Sequence, residues 1–128
     1  MISSAVVQEV LTVGTEDWVP VDRAIYFARE SCGATDFKTV VKATLEWMLN
    51  ERLVDIGYIG NTGFEAWSGT VGERMDRMMT ELDAVDWVPF GGSCWMANTA
   101  LGDAMIESWE EKHPMEITSM DYMRDSER

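Results

Sequence analysis

The sequence predicts one α+β domain, and three observations carry that expectation. From about residue 36 to residue 52, apolar side chains recur at helical spacing. Strand-forming residues lie on both sides of Gly60-Asn61-Thr62-Gly63, a run suited to a tight turn. The chain has 128 residues and is 46% hydrophobic, enough for the core of a single domain.

The elements follow in order. Ser3 or Ser4 is placed to cap a first helix over 3–13, where Val6, Val7, Val10 and Leu11 share a face and Gly14 stops it. Val19 precedes a proline and is expected to be extended. A second helix runs from about Val21 to Glu30, with Asp22 in its first turn and Ala24, Ile25 and Ala28 inward; Gly33 ends it. Thr35 or Asp36 caps the third helix. There Phe37, Val41, Thr44, Leu45, Met48 and Leu49 form the buried arc, opposite Lys38, Lys42, Glu46 and Asn50.

A hairpin over 53–67 comes next, and Ser68 or Thr70 then caps a fourth helix that buries Met75, Met78, Met79 and Leu82. After an extended loop, Cys94 to Asn98 reads as a short strand. Thr99 caps a last helix with Leu101, Ala104, Met105 and Trp109 inward, and Pro114 stops it. The tail from Met115 keeps Ile117, Met120, Tyr122 and Met123 at near-helical spacing. The expected division is a domain over 1–113 and a tail over 114–128.

Residues 17–20 and 86–89 both read Asp-Trp-Val-Pro. Their flanks, TEDWVPVDRAI and AVDWVPFGGSC, align no further, which excludes an internal duplication. The string is expected to be one local device used twice. In it Trp anchors a loop, Pro stiffens it and Asp caps locally.

Charge separates the classes of partner. The net charge is −13; residues 1–64 contribute −4 and residues 65–128 contribute −9. Such a field repels phosphate backbones and attracts basic proteins. The candidate partner-binding face is Asp83, Asp86, Trp87, Glu107, Glu110 and Glu111. Six Trp and ten Met supply core anchors and adaptable contacts.

The usual parts of an active site are not assembled in the sequence. Cys32 and Cys94 stand far apart in no spaced motif, which reads as two reduced thiols. The one histidine, His113, sits at a helix end. Gly57, Gly60 and Gly63 lie within a hairpin and do not join a strand to a helix, so they form no phosphate loop. No metal site, no cofactor and no catalytic role is expected. Residues 1–14 lack a basic leader region and no apolar run reaches bilayer length, so the expectation is a cytoplasmic protein without a membrane span.

Helix, short extended piece, helix, helix, hairpin is an order that resembles a winged helix-turn-helix domain. The segment from Trp95 through Thr99 to Gly102 resembles the strand and final helix that close many such domains. The chain is also similar to a group of small acidic, mostly actinobacterial proteins of uncharacterised function. The matching residues are Glu16 to Pro20, Gly63, Phe64 and Trp67, and Trp95, Asn98, Thr99, Gly102 and Asp103. The resemblance implies a helical core with a β-hairpin wing and an inserted helix, and it implies no activity.

On that scaffold the third helix would enter a DNA groove, with Arg23, Lys38 and Lys42 as the cations. The hairpin itself carries Asp55 and Glu65 and no Lys or Arg, which disfavours phosphate contact. Two functions therefore stand as expectations. The first is an acidic module that neutralises a basic protein, as an immunity protein or antitoxin does. The alternative is a winged-helix transcription regulator, with a homodimer possible in either case.

Overall fold

A computed structural model describes residues 2–32, 36–88 and 94–112. The expected signals at Gly33 and Thr35, the PFGGS segment over 89–93, His113 and the tail lie outside the described residues.

Helix α1 (Ser4–Gly14) starts where its cap predicts: the Ser3 hydroxyl accepts a hydrogen bond from the Val6 amide at 3.2 Å. Val6, Val7, Val10 and Leu11 are buried as their spacing requires. Strand β1 (Val19–Pro20) leads directly into α2 (Val21–Cys32), which buries Ala24, Ile25 and Ala28. Helix α3 (Phe37–Asn50) is the central helix and contacts α1, α2 and α4 (Val71–Ala84). Its fully buried Thr44 is satisfied from outside the helix, because the Ser3 amide donates to the Thr44 hydroxyl at 2.9 Å.

The end of α3 is a Schellman motif. The Arg52 amide donates to the Leu49 carbonyl and the Leu53 amide to the Met48 carbonyl. Arg52 itself has φ 60, the left-handed position that glycine usually fills. The closing residue, Leu53, is buried with Met48 in the core.

Strands β2 (Val54–Gly60) and β3 (Gly63–Ala66) form the expected antiparallel hairpin, closing at Gly60 opposite Gly63. Thr70 caps α4 in a reciprocal box: its hydroxyl accepts from the Glu73 amide, and its own amide donates to the Glu73 carboxylate. Hydrogen bonding from the Thr70 amide, then from its hydroxyl, lowers the Glu73 carboxyl below its ordinary value. An aromatic clamp fixes α4 to the hairpin. The Arg77 guanidinium lies 4.8 Å from the Tyr58 ring centre and 4.2 Å from that of Trp67. Arg77 donates to the Tyr58 hydroxyl at 2.7 Å, and that hydroxyl donates to Glu81 at 2.8 Å.

Strand β4 (Trp95–Asn98) lies inside the sheet. The order is β1-β4-β2-β3, antiparallel throughout, so β4 pairs with β1 on one side and β2 on the other. Helix α5 (Ala100–Lys112) then packs on α1 and β4. Among the described residues this is an α+β fold of five helices and a four-stranded sheet.

The expected inner face of α5 is corrected. Gly102 and Ile106 are the buried residues, while Leu101 is 57% exposed and Met105 42% exposed; Ala104 is also exposed and Trp109 partly buried. The cause is Gly102, whose α-carbon lies against the Leu53 carbonyl so closely that no Cβ would fit. That contact sets the rotation of the helix, and apolar area follows it.

Replacing Arg52 with glycine should stabilise the fold. Removing a left-handed L-residue gains about 1 kcal/mol, partly offset by glycine's greater freedom in the unfolded chain. The expected outcome is a thermal midpoint higher by roughly 2–4 °C; an unchanged or lower midpoint would show that the Arg52 side chain contributes more than its backbone costs.

Candidate partner-binding surface

The two Asp-Trp-Val-Pro strings are used in opposite ways, which corrects the expectation of a single device. In the first, Trp18 is 40% exposed and Val19 is fully buried, paired with Met96 in the sheet. The Asp17 carboxylate accepts from the Trp18 amide at 2.8 Å. In the second, Trp87 is 2% exposed and Val88 is exposed. Asp86 and Trp87 have φ 54 and φ 60 and close α4 by a second Schellman motif: the Asp86 amide donates to Asp83 and the Trp87 amide to Leu82.

Trp87 is therefore withdrawn from the candidate binding face. Its ring meets Phe37 edge-on at 5.9 Å, and its indole N–H donates to Asp83 at 2.7 Å. Asp83 is occupied by that bond, though exposed, and Asp86 is exposed beside it. Glu107 and Glu111 are exposed and Glu110 half-buried on α5. The six residues do not converge on one element pair, since α4 packs on α3 whereas α5 packs on α1 and β4. The acids stand on two elements, the end of α4 and α5.

The cations proposed for DNA are partly engaged. Arg23 pairs with Glu9 at 3.4 Å, and the Lys38 ammonium lies 5.5 Å from the Trp87 ring centre. Lys42 is exposed. The hairpin, free of cations in its own sequence, acquires them from its neighbours. Arg77 of α4 covers Tyr58 and Trp67, and Arg52 and Arg74 line a shallow pocket with Val54 and Asp55. The expectation of a wing without cations is thus corrected by tertiary contact. Acids stand beside these cations: Asp55 lines the same pocket and Glu81 pairs with Arg77.

One apolar concavity is present that the residue pattern did not single out. Val7 and Leu11 of α1, Trp47 of α3, and Met105, Ile106 and Trp109 of α5 line a groove of about 190 Å³. No charged side chain lines it. Trp109 is expected inward from its spacing, and Trp47 flanks the apolar arc of α3; the structure leaves both partly buried.

Cys94 is buried. Burial, and then the charges of Glu81 and Asp22, push the Cys94 thiol up to about 12, which keeps it protonated and a poor nucleophile. Among the described residues no group of three or more His, Cys, Asp or Glu could hold a metal ion. Among them, too, no helix is long and apolar enough to cross a membrane. Compared with known proteins, the chain matches no family model, no curated protein and no solved structure.

Two measurements check this description. Trp87→Ala should cost about 3–5 kcal/mol in denaturant unfolding, as loss of a core aromatic does, whereas Glu107→Gln and Glu111→Gln should stay within about 0.5 kcal/mol. In a Cys32→Ser background, Cys94 should resist alkylation at neutral pH until the protein unfolds; rapid labelling of the folded protein would contradict its burial.

Proposed function

We propose that the chain is an acidic, non-catalytic protein-binding module on a winged-helix-like scaffold, which neutralises a basic protein in the manner of an immunity protein or antitoxin. The scaffold reading is supported by strand order. A winged helix lays its three strands in the spatial order first, third, second, and here β1, β4 and β2 follow that order. Strand β3 and helix α4 are then elaborations of the wing.

The observation that carries the functional reading is the state of the charges. The ion pairs described are Arg23–Glu9 and Arg77–Glu81. Asp86, Glu107, Glu110 and Glu111 are left without a cationic partner among the described residues. Charge presented in this way steers a basic partner at long range and disfavours an acidic one.

The second reading, a DNA-binding regulator, is favoured by one observation: Arg52 and Arg74 stand together beside the start of β2. Together with Lys42 they offer phosphate contacts that the hairpin sequence lacks.

Salt separates the two. Partner capture by affinity pull-down should recover a basic protein, with affinity falling as salt rises through the Debye range. Recovery of an acidic partner, or salt-insensitive binding, would refute the first reading. A mobility shift of random duplex at low salt, lost on Arg52→Ala with Arg74→Ala, would establish the second.

A further inference from the structure

We infer that the outer face of the sheet at Trp18 seats an arginine side chain of the basic partner, its guanidinium stacked on the indole and bonded to Glu16 and Asp17. The inference rests on the functional reading above and names the side chain recognised and the place that takes it.

Alternation builds this face. Val19, Met96 and Ile56 are neighbours across the sheet and all three are buried in the core. Trp18 and Ala97, one step along their chains, fall on the other face, where Trp18 is 40% exposed. The Phe64 ring lies beside it, with planes tilted by 32°. Gly63 allows the approach, since a Cβ there would stand 3.3 Å from the indole. Glu16, Asp17 and Trp18 line a shallow pocket of about 380 Å³ with Gly14, Ala97 and Asn98. Both carboxylates belong to exposed residues, and no Lys or Arg lines the pocket.

The fold contains its own precedent for the contact. Arg77 lies over Tyr58 and Trp67 and donates to the Glu81 carboxylate at 3.4 Å, so one guanidinium meets two rings and an acid. Phe37 and Trp87 likewise lie under Arg29 and Lys38. Trp18 and Phe64 offer the same combination of rings with carboxylates beside them. Among the described residues, however, no cation lies over either ring.

Charge selects the occupant. Among the described residues neither Glu16 nor Asp17 is in an ion pair, and the cation nearest in sequence, Arg23, is paired with Glu9. One Asp17 oxygen accepts from the Trp18 amide, which holds the carboxylate next to the indole. A planar guanidinium can stack on the ring and still fork its N–H groups toward carboxylates at the edge; an ammonium cannot do both. A second copy of the chain would instead bring these acids against their own kind, and like charges so placed repel.

The probe is a short peptide of alternating Arg and Gly, titrated into the full-length isotope-labelled protein at about 0.15 M salt, where distant charges are screened. Peptides with Lys or citrulline in place of Arg are the controls; citrulline keeps the shape and lacks the charge. The Arg peptide should shift the Trp18 indole N–H resonance and bind more tightly than the Lys peptide. Glu16→Gln with Asp17→Asn, which keeps an acceptor for the Trp18 amide, should weaken binding about tenfold, and Trp18→Leu should do the same. Glu107→Gln with Glu111→Gln removes equal charge elsewhere and should change binding less than about twofold.

Salt-dependent binding that leaves the indole unmoved and ignores the Glu16 and Asp17 variant would overturn the site, while leaving the basic-partner reading intact. Equal binding of the Lys peptide would overturn the choice of arginine. Equal binding of the citrulline peptide would overturn both the site and the basic-partner reading. A Trp18 resonance that moves on dilution without peptide would assign the face to a second copy. Movement on Arg124→Gln with Arg128→Gln, again without peptide, would assign it to the chain's own tail. Either of these last results overturns the inference.

Discussion

Strand β4 and the turn after it hold the fold together, and the close approach of Gly102 to the Leu53 carbonyl is a constraint on which the last helix depends. β4 carries backbone pairing on both edges, so the short β1 and the hairpin belong to one sheet only through it. The side chains that follow fasten the helices. The Asn98 amide donates to the Leu11 carbonyl and to Asp103, tying the end of α1 to the start of α5. The Thr99 amide donates to the Leu53 carbonyl and its hydroxyl to the Arg52 carbonyl, so the end of α3 is fastened to the same turn. The Thr99 hydroxyl also accepts from the Gly102 amide, capping α5. These polar contacts are local in space and distant in sequence. They satisfy backbone groups that would otherwise be stranded at the ends of three helices.

A four-residue string does not carry its own conformation. Asp17-Trp18-Val19-Pro20 enters a sheet, so alternation decides its burial: Val19 goes in and Trp18 stays out beside Phe64, with ring centres 6.4 Å apart. Asp86-Trp87-Val88 ends a helix, so the hydrophobic contact of the cap decides instead, and Trp87 goes in. Asp is suited to both places. It accepts a bond from the following amide in the extended case and tolerates left-handed φ in the helical one.

Much of the fold was legible because the signals were local. The Ser3 and Thr70 caps, the Gly60–Gly63 turn and the apolar arc of α3 each depend on residues a few positions apart, where propensity and periodicity act. What was not legible arose from pairs far apart in the chain. Two of the arginines beside the hairpin, Arg74 and Arg77, come from α4, so the hairpin's own sequence could not report them, whereas Arg52 immediately precedes it. Trp87 has acids around it in sequence, which points to the surface; in space it lies under Lys38 and against Phe37. The acidic character of the second half was legible.

The rotation of α5 shows how the same constraint produces the candidate site. A stripe drawn through the largest apolar residues puts Leu101, Met105 and Trp109 inward. Close backbone approach at Gly102 requires another rotation, in which Ile106, one turn later, takes the buried place. Leu101 and Met105 are then carried to the surface, and Trp109 is left at the edge of α1 with Trp47 nearby. Glu107 and Glu111 are exposed on the same helix. One glycine contact thus orients a helix that presents exposed apolar residues and, among the described residues, negative charge outside any ion pair. A helix optimised only for burial would present neither, and such a departure from local consistency is where binding function is most often found.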